Sequence, residues 1–163
     1  MKRQHTILGL IAAACACFLS SCASNPNPTY ASAKASLTPE PGKGLVLIYY
    51  KDGITGKAGR LKISANDQLL TDKFRRGSFY SYQAPPGPLA LTTAVKPTYV
   101  PIAIALQALA AIPIHYKPFQ VEANQTYYLP LKAGAFMPKL EPVSKEEGER
   151  DIQNCHWVNP AGN

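Results

Sequence analysis

The chain reads as a mainly β protein: a small antiparallel β-sandwich of about seven short strands, with an apolar insertion at 100–114 and a short C-terminal helix. Three observations predict this class. β-prone runs recur at about ten-residue spacing, with turn residues between them. Several of those runs alternate apolar and polar residues, the period of a strand with one covered face. Proline makes up 15 of 163 residues, about twice its ordinary share, which suits many loops and edge strands.

The elements follow in order. Leu45-Val46-Leu47-Ile48-Tyr49-Tyr50 is β-prone without polar alternation, which predicts a strand covered on both faces. Residues 51–59 hold Gly53, Gly56 and Gly59 and read as a turn. Residues 60–65 alternate, with Leu61, Ile63 and Ala65 on one face and Lys62 and Ser64 on the other. Asn66-Asp67 is a turn signal, and 69–74 is a short third strand that Arg75-Arg76-Gly77 breaks. Residues 78–84 alternate again, with Phe79 across the pleat from Tyr80 and Tyr82. Pro85-Pro86-Gly87 is a tight turn, and Leu89, Leu91, Thr93 and Val95 mark a fifth strand. Residues 119–121 and 126–131 read as another pair, joined by Ala123-Asn124-Gln125. Residues 136–143 suit an edge strand, limited by Pro138 and Pro142. Ser144 is placed to cap a helix over 145–154, with Glu146 and Glu147 favourable near its start.

The N-terminus has a different layout. Lys2 and Arg3 precede an almost wholly apolar run from Ile7 to Phe18, followed by Leu19-Ser20-Ser21-Cys22. A basic start, an apolar stretch and small residues make a secretory signal. The apolar run is well short of the ~20 residues that span a bilayer. Leu19-Ser20-Ser21-Cys22 resembles the lipobox of bacterial lipoproteins. In that family the cysteine thiol takes a diacylglyceryl group, the peptide is cut just before the cysteine, and the new amino group is acylated, often with palmitate. The resemblance implies cleavage between Ser21 and Cys22, lipidation of Cys22, and an anchor of several chains that holds the protein to a membrane. Ala23 in place of Asp implies, by the same resemblance, the outer membrane with the protein facing the periplasm. The alternative is a plain secretory signal cut near Ala12-Ala13-Ala14, with Cys22 an ordinary thiol. The expected plan is therefore a cleaved signal at 1–21, a lipidated Cys22 with a Pro/Ser/Ala-rich tether at 22–43, a β-sandwich at 44–156 and a tail at 157–163. The tether offers little to bury.

Composition narrows the function. The formal charge is +7, and loss of Lys2 and Arg3 with the signal leaves +5. The remaining cations are scattered without a long basic run, which argues against nucleic-acid binding. Cys15 and Cys17 leave with the signal and Cys22 is the anchor, so Cys155 has no intrachain partner. A hydrophobic core must hold the fold. Cys155-His156 lacks the further ligands or paired base that metal binding or nucleophilic catalysis needs. His5 leaves with the signal, and neither His115 nor Asp52, Asp67 and Asp72 sits in a catalytic motif. No catalytic residue, metal site or cofactor is expected.

The order of the strand and turn motifs also resembles a known family. Gly44-Leu45-Val46-Leu47-Ile48-Tyr49-Tyr50, Arg60-Leu61-Lys62-Ile63, Asn66-Asp67-Gln68-Leu69-Leu70, Phe79-Tyr80, Pro85-Pro86-Gly87-Pro88 and Val121-Glu122-Ala123-Asn124-Gln125-Thr126-Tyr127-Tyr128 carry the likeness. It is to an uncharacterised family of bacterial lipoprotein domains, domain of unknown function 2846. The resemblance covers roughly 41–155 and implies a fold but no activity. Asn124 stands where such turns usually have Gly, and 98–117 looks like an insertion.

Within that insertion, 100–114 is apolar at every position but Gln107. It is too short to cross a bilayer. Two readings stand: a segment packed over an open end of the sandwich, or an apolar surface offered to the membrane or a partner. On the second, Ile102, Ile104, Leu106, Gln107, Leu109 and Ile112 form the interaction surface. The expected protein is a lipid-anchored, non-catalytic binding or accessory protein of the envelope, with the membrane and an envelope protein as partners. The alternatives are an envelope enzyme acting on peptidoglycan or lipid, with His115 or His156 near its site, and a surface-exposed adhesin-like or immunity-type lipoprotein.

Overall fold

The computed structural model describes residues 27–51, 60–95, 112–132 and 138–158. They form a mainly β fold. The order is α1 (Tyr30–Ala33), a 3₁₀ turn (Lys34–Ser36), β1 (Gly44–Tyr50), β2 (Leu61–Ala65), β3 (Gln68–Phe74), β4 (Ser78–Ala84), β5 (Gly87–Leu89), β6 (Leu91–Val95), β7 (Ile114–His115), β8 (Phe119–Val121), β9 (Thr126–Lys132), β10 (Lys139–Leu140), α2 (Lys145–Ile152) and β11 (His156–Trp157). The Gly53/Gly56/Gly59 turn, the signal and residues 159–163 lie outside the described residues.

A five-stranded sheet has the order β10-β9-β1-β4-β11, and a four-stranded sheet the order β3-β2-β6-β7. β5 and β8 form a separate pair. Most pairings are antiparallel, but β1 runs parallel to β9 and β4 parallel to β11. β1 therefore sits in the middle of its sheet, which is what its unbroken apolar run requires. Val46 and Ile48 enter one core cluster with Ile63, Phe74, Leu91 and Leu129, drawn from both sheets. Leu45, Leu47 and Tyr49 enter a second cluster with Tyr30, Phe79, Tyr128 and Ile152. The second core lies against the opposite face of the five-stranded sheet. Successive side chains of a strand point to opposite faces, so both clusters draw on one strand.

The tight turns behave as the sequence indicates. Asn66 and Asp67 both take positive φ (45° and 66°), the conformation of a two-residue type I′ hairpin. Asn66 also holds Ala90: its amide donates to the Ala90 carbonyl at 2.8 Å, and its Oδ1 accepts from the Ala90 amide at 2.9 Å. This grip divides the expected fifth strand in two. β5 pairs with β8, and β6 pairs with β2.

Two expectations are corrected. The 119–121 and 126–131 segments do not pair with each other: β8 joins β5, and β9 joins β1. The turn between them is tied elsewhere. The Asn124 amide donates to the Lys43 carbonyl and the Leu45 amide to the Gln125 carbonyl, both at 2.8 Å. Those bonds feed β9 alongside β1 rather than back along β8.

The second correction concerns 22–43. Tyr30 is only 2% exposed and Ala33 only 6%. The Tyr30 amide donates to the Cys155 carbonyl at 2.9 Å. Among the described residues, packed structure thus extends back to Asn27 rather than starting at Gly44. Trp157 and Val158, expected in a tail, pack as well: Trp157 stacks on Phe79, and Val158 is buried.

The C-terminal helix starts as expected. The Ser144 hydroxyl accepts from the Glu147 amide at 3.2 Å, and Glu146 and Glu147 lie in the first turn. It ends at Ile152, two residues earlier than 154. It rests on β9 through Gly148, whose missing side chain makes room for Tyr128. Residues 138–143 contribute the edge strand β10 beside β9, bounded by Pro138 and Pro142.

Candidate functional site

A cationic concavity lies where the chain crosses between sheets. β3 belongs to the four-stranded sheet and β4 to the five-stranded one, so Arg75-Arg76-Gly77 turns the corner. Gly77 takes φ 70°, which favours glycine. Its amide donates to the Tyr50 carbonyl at 2.7 Å, and its carbonyl accepts from the His156 amide at 2.8 Å. The Ser78 hydroxyl closes the turn: it accepts from the Arg75 amide at 3.0 Å and donates to the Arg75 carbonyl.

β11 lies on the edge of the sheet next to β4, and residues 28–30 border it. Thr29 bridges to His156, and the Trp157 amide donates to the Pro28 carbonyl at 2.8 Å. His156 Nδ1 lies 3.0 Å from the Asn27 carbonyl. A carbonyl only accepts, so Nδ1 carries the proton there. The N-terminal segment thus covers an otherwise open sheet edge, a common protection against pairing with other chains.

These elements enclose a cleft of about 380 Å³ lined by Asn27, Arg60, Lys73, Arg75, Ser78, His156, Trp157 and Val158. Arg60 immediately precedes β2 and Arg75 immediately follows β3. Leu61 pairs with Phe74, so both arginines leave the same end of the hairpin. Lys73 lies near the end of β3, two residues before Arg75. Two arginines, a lysine and an imidazole line the cleft, and none of its described lining residues is a carboxylate. Trp157 stacks on Phe79 with ring centres 5.8 Å apart and planes at 26°. The chemistry this suits is recognition of an anion next to an apolar or aromatic surface.

A second cavity, about 480 Å³, lies between the β7–β8 connection and β10. Tyr116, Pro118, Phe119, Pro138 and Leu140 give it apolar walls, with His115, Lys117, Lys139 and Glu141 at its lining. The Tyr116 hydroxyl bonds Thr93 Oγ1 at 2.8 Å, and burial raises its pKa.

A network fastens the N-terminal segment to the domain. The Tyr30 and Tyr128 hydroxyls are 3.1 Å apart, Tyr128 donates to Glu149 at 3.3 Å, and Lys34 donates to Glu149 at 2.8 Å. The Lys34 hydrogen bond lowers the Glu149 pKa, and the same bond raises that of Lys34. Burial, helped by the Tyr30 bond, raises the Tyr128 pKa. Tyr49 differs: its buried hydroxyl has no hydrogen-bond partner among the described residues, and burial raises its pKa too.

The residues singled out from sequence are distributed as follows. Ser21, Cys22, Ile102, Ile104, Leu106, Gln107 and Leu109 lie outside the described residues, as does Asp52. Ile112 is 57% exposed at the end of the insertion, just before β7 joins the four-stranded sheet. His115 and His156 are not brought together: they sit on edge strands of different sheets. His115 Nδ1 lies 3.2 Å from Thr92 Oγ1. Cys155 is buried, with its sulfur 3.9 Å from the Tyr50 carbonyl. Among the described residues no group of three His, Cys, Asp or Glu is placed to hold a metal. No described helix is long and apolar enough to cross a membrane. Sequence reasoning saw Arg60, Lys73 and Arg75 only as scattered charges. The available signal was the Arg75-Arg76 pair at a strand break, with Lys73 one strand period away.

No protein-family model matches the chain, and neither a curated protein nor a solved structure matches it.

Proposed function

We propose that the mature chain is a lipid-anchored protein on the periplasmic face of a bacterial outer membrane, acting by binding rather than catalysis. The observation that carries this reading is the short link between Cys22 and the packed body. Leu19-Ser20-Ser21-Cys22 has the lipobox pattern, and the described packed chain reaches back to Asn27. The five peptide steps from Cys22 to Asn27 reach at most about 18 Å when fully extended. A domain held that close to its anchor meets what the membrane surface presents.

The non-catalytic part of the proposal is supported by the state of the candidate groups. The Ser78 hydroxyl is committed to the Arg75 backbone, and the two histidines belong to different sheet edges. The test is a photoreactive residue at Gln107 in intact cells, with identification of the captured species. Reproducible capture of one envelope protein is the expected result. Purified protein that cleaves peptidoglycan or lipid, and loses that activity in His115→Ala or His156→Ala, would overturn the binding reading.

A further inference from the structure

We propose that the cleft between the two sheets seats the phosphate of an anionic phospholipid headgroup in the leaflet that holds Cys22. The inference rests on the lipid-anchor reading and names what the anchored domain binds.

Chain length is the first argument. Asn27 lines the cleft, and its carbonyl is fixed to His156. Five peptide steps separate Asn27 from Cys22. Extended chain spans at most about 3.6 Å per residue, so the cleft rim lies within roughly 18 Å of the acylated residue. The headgroup region of one leaflet is roughly 5–8 Å deep, so a link of that length lets the cleft reach it.

Charge complementarity is the second argument. Arg60, Lys73 and Arg75 line the cleft, and none of its described lining residues is a carboxylate. Guanidinium groups match phosphate oxygens in pairs, and lysine adds a point charge. The volume, about 380 Å³, lies at the small end of the range for ligand pockets, about 300–1,000 Å³. Trp157 is the third argument. An indole at the lining of a cationic cleft suits the boundary between headgroups and acyl chains, where Trp is enriched. Together these features give the domain a second, weaker hold on the bilayer. The hold fixes which face of the domain turns to the membrane, and it favours anionic over neutral lipid.

Trp157 is also the chain's single tryptophan, so its fluorescence reports this cleft alone. The experiment uses the full chain expressed in a bacterial host and purified from membranes. Intact mass first reads whether Cys22 is acylated. The protein is then placed in nanodiscs of phosphatidylcholine, with or without phosphatidylglycerol, and quenching of Trp157 by acrylamide is measured. Anionic discs are expected to protect Trp157 and neutral discs are not. Arg60→Gln with Arg75→Gln is expected to abolish the protection while acylation and circular dichroism stay unchanged. Each arginine removed is expected to weaken the preference roughly five-fold, the equivalent of ~1 kcal/mol per cation near an anionic surface. Equal quenching in both discs would overturn the proposal, as would protection that survives in the double variant. Inorganic phosphate reproducing the protection in neutral discs would replace the headgroup with a free anion and overturn the lipid assignment. An unacylated Cys22 would overturn the anchor reading separately, because the mass and the fluorescence are read independently.

Discussion

Gly148→Ala is expected to destabilise the protein, against the ordinary preference of helices for alanine. Gly148 is buried inside α2, where Ala is favoured over Gly by about 1 kcal/mol. The Tyr128 ring occupies the space a side chain would need. A Cβ on residue 148 would lie 2.6 Å from Tyr128 Cδ1 and closer still to its Cβ and Cγ. Carbon atoms pack best at about 3.5–4.0 Å, so α2 would have to retreat from β9 by about 1 Å or more. Overpacking of that kind costs roughly 1–3 kcal/mol, which outweighs or cancels the helix gain. The retreat also stretches the Tyr128–Glu149 hydrogen bond, already at 3.3 Å, and through Glu149 disturbs Lys34. Loss of global stability should therefore come with loosening of residues 29–36. Urea denaturation gives the first quantity, and limited proteolysis after Lys34 gives the second. A variant at least as stable as the wild type, with Lys34 equally protected, would refute the packing argument.

Other perturbations give outcomes of different sign. Tyr49→Phe removes a buried hydroxyl without a partner among the described residues, and should stabilise the fold by about 1 kcal/mol in urea denaturation; a loss of that size would mean the hydroxyl is hydrogen-bonded. Ser144→Ala removes the cap that accepts from Glu147 and should cost about 1 kcal/mol, measured the same way. Acid should weaken the Lys34–Glu149 clamp. The folded-state pKa of Glu149 lies below its ordinary value of 4.5, so its contribution is present above that value. It is lost as pH falls through the lower folded value, and Glu149→Gln should flatten that part of the stability–pH curve.

How far the sequence could be read depended on the range of the signal. β1 was legible because a run without polar alternation has few other uses, and its side chains fill both cores. β2 was legible from alternation: Ile63 and Ala65 are buried, while Lys62 is exposed. The Asn66-Asp67 turn and the Ser144 cap are local devices and were found where their residues stand. The order of β8 and β9 was not legible. A short turn between two β-prone runs looks like a hairpin, and only the bonds to Lys43 and Leu45 redirect it. Tyr30 was missed because a four-residue helix shows no periodicity, and its partner Tyr128 is 98 positions away. The cleft was missed for the same reason. Asn27 and His156 stand 129 positions apart, and Arg60 and Arg75 meet only through hairpin register. Separations of that size leave no trace in a local pattern.

Lipidation of Cys22 is the premise of everything proposed for this protein. Its most direct test is the intact mass of the protein isolated from bacterial membranes, together with fractionation of a Cys22→Ser variant. The expected result is a mature chain that starts at Cys22, carries acyl groups on that residue, and leaves the membrane fraction when Cys22 is replaced. An unmodified Cys22, or a mature chain that starts elsewhere, would contradict it.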